Sequence, residues 1–321
     1  MTLASLNASA PRLNHIARFA ALLVLLSFVP LLGATHNSSV PSPASFVADV
    51  PLLDCDGMPC VKVRVNNTAP VRLLIDTGNP ASVLDTATAS GLGLKPYTPD
   101  QPRWPKGLFR ATVPTLQIGG LSLSGARILT MNMAAMTAQN QMPHAAGTLG
   151  YTMFKNRILQ MDFRAHRLRI SDLLSAPVPC TTPCDSFSLI TFGKHGPPIV
   201  VAKGFTINGR AVTAQVDTQY SGSFLVYSAS VERLGLAAAA QSTHTRVFPF
   251  TDGGVRMKFA PATEEGFEGT PLIPSGAVVY FPTPGVHEPD ALFDATVGLD
   301  LLRDTVLTLD FHDMTISVQK S

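Results

Sequence analysis

The chain has 321 residues, of which 45% are hydrophobic and 14% charged, and this composition excludes a disordered or tail-like protein. Residues 1–34 contain two of the 24 basic residues, Arg12 and Arg18, and none of the 22 acidic ones, so the remainder carries 22 of each sign. A neutral chain lacks the basic surface of a nucleic-acid-binding protein, and we expect no nucleic-acid partner.

The first 34 residues have the pattern of an export signal. Two arginines precede an apolar run over 19–29, and the small residues Gly33 and Ala34 follow it. We predict a cleaved signal peptide over 1–34, which would export the protein to the periplasm or out of the cell. An uncleaved membrane anchor is the alternative, and it is the only membrane contact that we expect. Residues 35–50, rich in Ser and Pro, are predicted to be a spacer.

Four cysteines form two close pairs, Cys55 with Cys60 and Cys180 with Cys184. In an exported protein such pairs indicate local disulfides. A single four-thiolate metal site is the alternative, but the two spacings are wider than the two-residue spacing usual at zinc sites. We therefore predict two disulfides, no metal and no cofactor.

Residues 71–84 are repeated at 212–225. Each copy runs from an apolar strand into Asp-Thr and reaches a serine six residues after the aspartate. A Leu-Gly-Leu triplet then follows in both copies, at 92–94 and 234–236. The repeated residues are Asp76, Thr77 and Ser82 in the first copy, and Asp217, Thr218 and Ser223 in the second.

Later landmarks recur in the same order. An apolar-Gly pair, Leu149-Gly150 or Val297-Gly298, precedes an aspartate by 12 residues in both halves, Asp162 in the first and Asp310 in the second. Each of these aspartates lies in a predicted hairpin. Because one chance match would not reproduce four landmarks in order, the chain is interpreted as a duplication.

Both halves are dominated by short alternating strands and by Gly/Pro turns, and helices are predicted only at 82–92 and 228–234. The fold class is therefore all-β, with two homologous β lobes related by pseudo-twofold symmetry. We predict a first lobe at 51–170, a linker at 171–186 that contains three prolines, and a second lobe at 187–319.

A single aspartate after an apolar strand is usually an Asx-turn or helix-cap residue. Duplication changes this interpretation, since a twofold axis would bring Asp76 and Asp217 together. Two adjacent carboxyl groups share one proton, because both do not ionise readily. The charged member could then activate a water as general base while the protonated member donates to a carbonyl oxygen, which would hydrolyse an amide without a metal.

These motifs resemble the aspartic proteases of the pepsin and retropepsin-like superfamily, over most of residues 50–318. The first lobe is the closer match, with retropepsin-like spacing as in the tandem exported proteases of bacteria. The resemblance implies a bilobal acid-protease fold, catalytic residues Asp76 and Asp217, and a peptide or protein substrate. Retroviral relatives assemble the site from two identical chains, whereas this chain supplies both halves and is expected to be monomeric.

The resemblance also implies supporting roles. Thr77 and Thr218 would bond to the opposite loop, Gly78, Ser82 and Ser223 would support the loops, and the apolar-Gly pairs would brace them from behind. A flap over the cleft would lie at 104–113. Substrate-binding residues would be Trp104 and Gly107 in this flap, with Gly253 at the comparable place in the second lobe. Ordinary core filling is the alternative for Trp104.

One position departs from the family pattern. The second loop reads Asp-Thr-Gln, with Gln219 where the family has a glycine beside the bound substrate. Either an endopeptidase accommodates Gln219 with altered specificity, or the chain is a non-catalytic peptide-binding protein on the protease fold. A serine hydrolase is disfavoured because no Gly-x-Ser-x-Gly occurs, and a zinc protease because His-Glu-x-x-His is absent. Glycosidases also pair carboxylates, but they would not explain the duplicated loop.

Overall fold

A computed structural model of the protein describes residues 45–101, 104–133, 145–173, 180, 183–191, 198–248, 255–273, 277–283, 288 and 292–320. All of these belong to one compact unit, Pro41–Ser321. Among them, no helix has the length and apolar character needed to cross a membrane. The predicted signal peptide lies outside the described residues.

The described chain consists mainly of strands, as its alternating pattern predicts. The strands of the first half are β1 (Phe46–Pro51), β2 (Leu53–Cys55), β3 (Met58–Val65), β4 (Val71–Ile75), β5 (Val83–Asp85), β6 (Leu108–Ile118), β7 (Leu121–Met131), β8 (Gly147–Leu149), β9 (Ile158–Asp162) and β10 (Arg167–Ser171). Those of the second half are β11 (Cys184–Thr191), β12 (Pro198–Ile207), β13 (Arg210–Val216), β14 (Phe224–Val226), β15 (Thr245–Phe248), β16 (Val255–Pro261), β17 (Glu265–Phe267), β18 (Thr270–Ile273), β19 (Val278–Pro282), β20 (Ala295–Val297), β21 (Thr305–Asp310) and β22 (Thr315–Lys320). The described helices are short: α1 (Thr86–Gly91), α2 (Tyr151–Phe154), a 3-10 turn (Ser228–Ser230), α3 (Ala237–Ala240) and α4 (Leu299–Leu302).

The turn that carries Asp76 lies at the centre of the first-lobe sheet. The strand order of this sheet is β2-β3-β4-β8-β5-β7-β6, with β6 also paired to β3. β4 leads into the turn and β5 leaves it, and both pair with β8, the first in parallel and the second antiparallel. β5 also runs parallel to β7. Two strands that share one neighbour therefore hold the turn from both sides.

The second lobe repeats this arrangement around Asp217. β13 and β14 flank the turn and pair with β20, the first in parallel and the second antiparallel. β14 runs parallel to β19, as β5 does to β7. The same three-strand connection thus occurs twice, and the predicted all-β fold of two homologous lobes is confirmed.

A six-stranded sheet joins the lobes, in the order β1-β10-β9-β21-β22-β11. Its central pair is β9 with β21, in which Gln160 lies opposite Thr308 and donates a hydrogen bond to its hydroxyl at 3.1 Å. The hairpins β9–β10 and β21–β22 are the two predicted around Asp162 and Asp310. Buried apolar residues of both lobes form one continuous core cluster that includes these strands.

Two strands of this sheet, β1 and β11, come from segments with other predicted roles. β1 begins at Phe46 within the predicted spacer and pairs with β10, while β11 begins at Cys184 within the predicted linker and pairs with β22. The two strands occupy equivalent places, one in each half of the sheet. Their Ser- and Pro-rich segments did not predict strands, because each strand forms by pairing with a hairpin that is distant in the sequence. Paired strands therefore extend into the predicted spacer, from Phe46, and into the predicted linker, from Cys184.

Both predicted disulfides are present. Cys55 and Cys60 close the β2–β3 hairpin, with their Cα atoms 5.9 Å apart. Cys180 is bonded to Cys184 at the start of β11. All four cysteines of the chain are used in these two local links.

The helix predictions were only partly correct. Residues 83–85 of the first predicted helix form β5, because they pair with β7 and β8, and α1 begins afterwards at Thr86. Asp85 caps this helix, and its carboxylate accepts from Thr88 N–H at 2.9 Å. The second predicted helix contains one 3-10 turn, and three further short helices, α2, α3 and α4, were not predicted.

Candidate active site

Each aspartate loop is hydrogen-bonded to the strand that pairs with both of its flanking strands, β8 in the first lobe and β20 in the second. Asp76 N–H donates to Leu149 O at 3.0 Å, and Asp217 N–H donates to Val297 O at 2.9 Å. The acceptors are the residues before Gly150 and Gly298, the two glycines of the sequence landmarks. The same bond therefore fixes the main chain of both aspartates.

The glycines of these pairs lie directly behind the loops. A side chain at Gly150 would meet the carbonyl oxygens of Asn79 and Ala81, each 2.5 Å from an added Cβ. A side chain at Gly298 would lie 2.6 Å from Gly222 O. Only glycine allows the main chain to approach the loops this closely.

Two threonines connect the loops across the lobe interface. Thr77 Oγ1 donates to Val216 O at 2.8 Å and accepts from Thr218 N–H at 3.2 Å. Thr218 Oγ1 donates to Ile75 O at 2.6 Å and accepts from Thr77 N–H at 3.2 Å. Both side chains are buried, and these four reciprocal hydrogen bonds, which we call the threonine latch, are those implied by the family resemblance.

The two carboxyl groups lie close enough at this latch to interact electrostatically. An added Cβ at Gly78 would lie 2.7 and 2.8 Å from the two carboxylate oxygens of Asp217, so the second aspartate packs against the first loop two residues beyond Asp76. Gln219 N–H donates to Asp217 Oδ1 at 2.8 Å. The structure therefore brings Asp76, Thr77, Gly78, Asp217 and Thr218 together in one site.

Burial raises the pKa of both carboxyl groups. The pKa of Asp76 rises well above its usual range, because the negative charge of Asp217 adds to the effect of burial. At Asp217 burial again dominates, and main-chain N–H groups of Gln219 and Tyr220 partly oppose the rise in pKa. The two groups titrate as a pair that retains a proton at higher pH than an exposed aspartate does.

The serines six residues after each aspartate are bonded differently in the two lobes. Ser82 Oγ accepts from Gly150 N–H at 3.0 Å. In the second lobe the equivalent Gly298 N–H donates to the main-chain oxygen of Ser223 at 2.8 Å. The Ser223 hydroxyl is thereby available to other partners.

Those partners are Val278 and Glu265. Ser223 Oγ lies 2.6 Å from Val278 O and 3.0 Å from Glu265 Oε1. Glu265 is fully buried, and no motif in the sequence marks it as a site residue.

Gln219, the residue that departs from the family pattern, has its side chain directed toward the first lobe. Its Nε2 donates to Ile75 O at 3.0 Å, the same oxygen that accepts from Thr218. A carbonyl oxygen has two lone pairs and accommodates both donors. The amide therefore adds a fifth hydrogen bond to the contact between the loops.

A second glutamine makes a similar contact and was missed at the sequence level. Gln215 Nε2 donates to Gly78 O at 3.1 Å, and its Oε1 lies 3.4 Å from Thr296 Oγ1. Thr296 Oγ1 in turn lies 2.8 Å from the buried Tyr227 hydroxyl. The sequence signal for Gln215 is a difference between the repeats, since the equivalent residue of the first lobe is the apolar Leu74.

The residues after the two loops also differ. Asn79 Oδ1 accepts from Ala81 N–H at 3.1 Å, as in an ordinary Asx turn. Tyr220, at the equivalent place, is buried and packs edge-on against Tyr280 with ring centroids 6.5 Å apart. A side chain at Gly222 would collide with the Tyr220 ring, so the two residues are suited to each other.

The predicted flap residues are described only in part. Trp104 is half-buried, its ring centroid lies 4.9 Å from Arg110 Cζ, and its indole N–H donates to Leu108 O at 2.5 Å. Gly107 is exposed in a turn before β6, at a positive φ of 82° that favours glycine. Gly253 lies outside the described residues. The substrate-binding role of these three residues stays a prediction.

The described residues contain no group of three or more side chains suited to a metal ion. The chemistry that they do offer is that of two buried carboxyl groups with raised pKa values at a lobe interface.

Comparisons with solved structures concern the fold alone. Among solved structures, the one titled "Crystal structure of edgp" is 10% identical, with a TM-score of 0.50 over 88% of this chain and 96% of its own. The aspartic proteinase from Irpex lacteus is 12% identical, with a TM-score of 0.49 over 85% and 97%. Basic 7S globulin from soybean is 11% identical, with a TM-score of 0.45 over 87% and 96%. No curated protein matches the sequence.

The family comparison covers the first lobe. Residues 61–153 match the aspartyl protease family, and this segment includes the first aspartate loop, Ser82 and Gly150. This match confirms the resemblance predicted from the sequence.

Proposed function

We propose that this protein is an aspartic endopeptidase whose catalytic residues are Asp76 and Asp217. The observation that carries the proposal is the reciprocal threonine latch, which holds two buried carboxyl loops against each other. The family match of residues 61–153 supports the reaction class, and it implies a peptide or protein substrate.

The mechanism follows from the raised pKa values of the two carboxyl groups, which let the pair hold a single proton between them. The charged member accepts a proton from a water molecule as that water attacks the scissile carbonyl carbon. The protonated member donates its proton to the carbonyl oxygen, which gives a neutral tetrahedral intermediate. Collapse of the intermediate transfers a proton to the leaving amine and cleaves the amide.

The orientation of Gln219 supports activity over a purely binding role. The concern at this position is that a side chain would block the cleft. Its amide instead bonds to Ile75 O, within the contact between the loops. Gln219 therefore strengthens the interface that positions the dyad. Any effect of Gln219 on specificity would come from the part of its side chain between the main chain and the bonded amide.

The setting of the enzyme is also proposed. Two disulfides are typical of an oxidising compartment and fit export of the chain. One chain provides both aspartate loops, so the site needs no second copy and the active form would be a monomer. The site residues call for no cofactor.

The test is cleavage of a mixed peptide library from pH 3 to pH 7. We expect products from the purified full chain and none from Asp217→Asn, because the pair then lacks one of the two carboxyl groups that the mechanism needs. Asp304→Asn, at an exposed position, is the matched control and should cleave like the parent. An activation cleavage is tested in parallel, by preincubation at pH 3–4.

The outcomes separate the two candidate functions. Products made by the parent and by Asp217→Asn alike would remove the dyad from the mechanism. Peptide binding by the parent, without products before or after preincubation, would establish the non-catalytic alternative that Gln219 raised.

A further inference from the structure

Glu265 is a buried carboxyl group outside the proposed dyad. It lies in β17, where it pairs with Ile207 of β12 and Ile273 of β18, and its side chain is fully buried. Its Oε1 is 3.0 Å from Ser223 Oγ, six residues after Asp217. Among the described residues, its Oε2 has no hydrogen-bond partner. A buried carboxylate in this state would be costly, whereas a neutral carboxyl group would not.

Counting protons at Ser223 indicates the state of Glu265. A serine hydroxyl has one proton, and Ser223 Oγ has two close oxygen neighbours. Val278 O, at 2.6 Å, is a main-chain carbonyl that can only accept, so the serine proton belongs to this bond. The 3.0 Å contact with Glu265 is then a hydrogen bond only if the glutamate donates. Both contacts are satisfied when the carboxyl group is protonated.

The surroundings of Glu265 favour this neutral form. Burial is the main cause that raises the pKa of Glu265, to about 8, and the negative charge of Asp300 on α4 adds to it. Tyr220, in the second aspartate loop, is the other titratable group that interacts electrostatically with Glu265. Arg303 is paired with Asp300 at 3.1 Å. A hydrogen bond in which Ser223 donated to the ionised carboxylate would have the opposite, smaller effect on the pKa.

The first lobe does not use this arrangement. Its equivalent serine, Ser82, is held by the N–H group of Gly150. In the second lobe that N–H group bonds to the main chain of Ser223, so the serine side chain depends on β17 and β19 for its position. Glu265 is therefore a support that the second loop has and the first does not.

We propose that Glu265 is a positioning residue for the second aspartate loop, and that it acts in its protonated form by donating a hydrogen bond to Ser223 Oγ. The effect on cleavage rests on the proposed function; the hydrogen bond itself does not. Ionisation of Glu265 in alkaline solution removes the donor and places a negative charge beside the loop. The loop then loses its contact with β17, and the position of Asp217 becomes less well defined.

Two variants test this role. Glu265→Gln keeps a donor for Ser223 and cannot ionise, whereas Glu265→Leu keeps much of the volume without a donor. Glu232→Gln removes one charge at an exposed position and is the matched control. The first measurement is the thermal unfolding midpoint from pH 4 to pH 9, which needs no enzymatic activity.

The parent and Glu232→Gln should lose stability between about pH 4.5 and about pH 8, because the folded state holds the Glu265 proton and the unfolded state does not. Glu265→Gln should lack this part of the decline. An identical pH dependence in the parent and Glu265→Gln would overturn the proposal.

The second measurement is kcat/KM at pH 5, where Glu265 is protonated. Glu265→Gln should stay within about threefold of the parent and Glu265→Leu should fall at least about tenfold, as expected for loss of a hydrogen bond that orients a reacting group. Equal rates for the two variants would refute a positioning role. If the parent cleaves no peptide, the proposed function fails, while the unfolding comparison still decides the state of Glu265.

Discussion

Replacement of Thr218 by alanine tests the threonine latch most directly. The hydroxyl makes two buried hydrogen bonds, to Ile75 O and from Thr77 N–H. After the substitution Ile75 O keeps the amide of Gln219 as a donor, but Thr77 N–H loses the acceptor that the latch provides. The substitution therefore costs more free energy at Thr77 N–H than at Ile75 O.

The expected cost follows from these contacts. Loss of one hydrogen bond with a remaining partner costs about 1 kcal/mol, and an orphaned buried N–H group costs about 1–3 kcal/mol. Thr218→Ala also removes the buried methyl group and should therefore lower the free energy of unfolding by about 3–5 kcal/mol in all. Thr218→Ser keeps the hydroxyl and loses one buried methyl group, which costs about 1 kcal/mol.

The assay is urea unfolding at pH 5, with free energies from linear extrapolation. The same three proteins are compared in kcat/KM. Because small misplacements of reacting groups can cost as much as about 100-fold, Thr218→Ala should lose more than tenfold and Thr218→Ser much less. If the alanine and serine variants lost the same free energy and the same activity, the hydroxyl would have no role and the latch argument would fail.

Two further predictions concern the carboxyl groups. Gly78→Ala would place a Cβ against the Asp217 carboxylate and should reduce cleavage by more than about tenfold. Gly91→Ala, where an added Cβ meets no atom within 4 Å, is the control and should cleave like the parent. Equal activity of the two variants would contradict the packing of Asp217 against Gly78. Asp76→Asn should be inactive yet more stable than the parent at pH 7. The folded pKa of Asp76 lies above its usual value of 3.8, so the parent loses stability as the pH rises from about 4 toward that folded pKa, and the amide does not. Thermal unfolding at pH 3, 5 and 7 measures this, and a stability difference independent of pH would refute it.

The symmetric part of the site could be predicted from the sequence because its residues occur in both repeats. Asp-Thr after an apolar strand recurs with the same serine spacing, and duplication predicted that the loops would meet. The hydrogen bonds of Thr77 and Thr218 follow from the family resemblance and are present as implied. Agreement between the repeats was therefore enough to predict that the loops meet, whereas the threonine hydrogen bonds required the family resemblance.

The asymmetric part was not accessible in the same way. Glu265 reaches Ser223 from a strand 42 residues further along the chain, and no local pattern connects them. The strands β1 and β11 were assigned to a spacer and a linker, since each begins in a Ser- and Pro-rich segment and depends on pairing with a distant hairpin. Gln215 lies before its aspartate, at a position where the two repeats differ, so the repeated pattern does not mark it.

The contrast between Gly78 and Gln219 has a consequence for how this site could have diverged. A homodimer carries each substitution twice, so a glutamine at this position would also place a Cβ where Gly78 now lies against Asp217. In a single chain the two halves mutate independently, and one can keep the glycine while the other gains an amide bonded to Ile75 O. A chain that carries both halves can therefore relax this steric constraint in one half of the site while keeping it in the other.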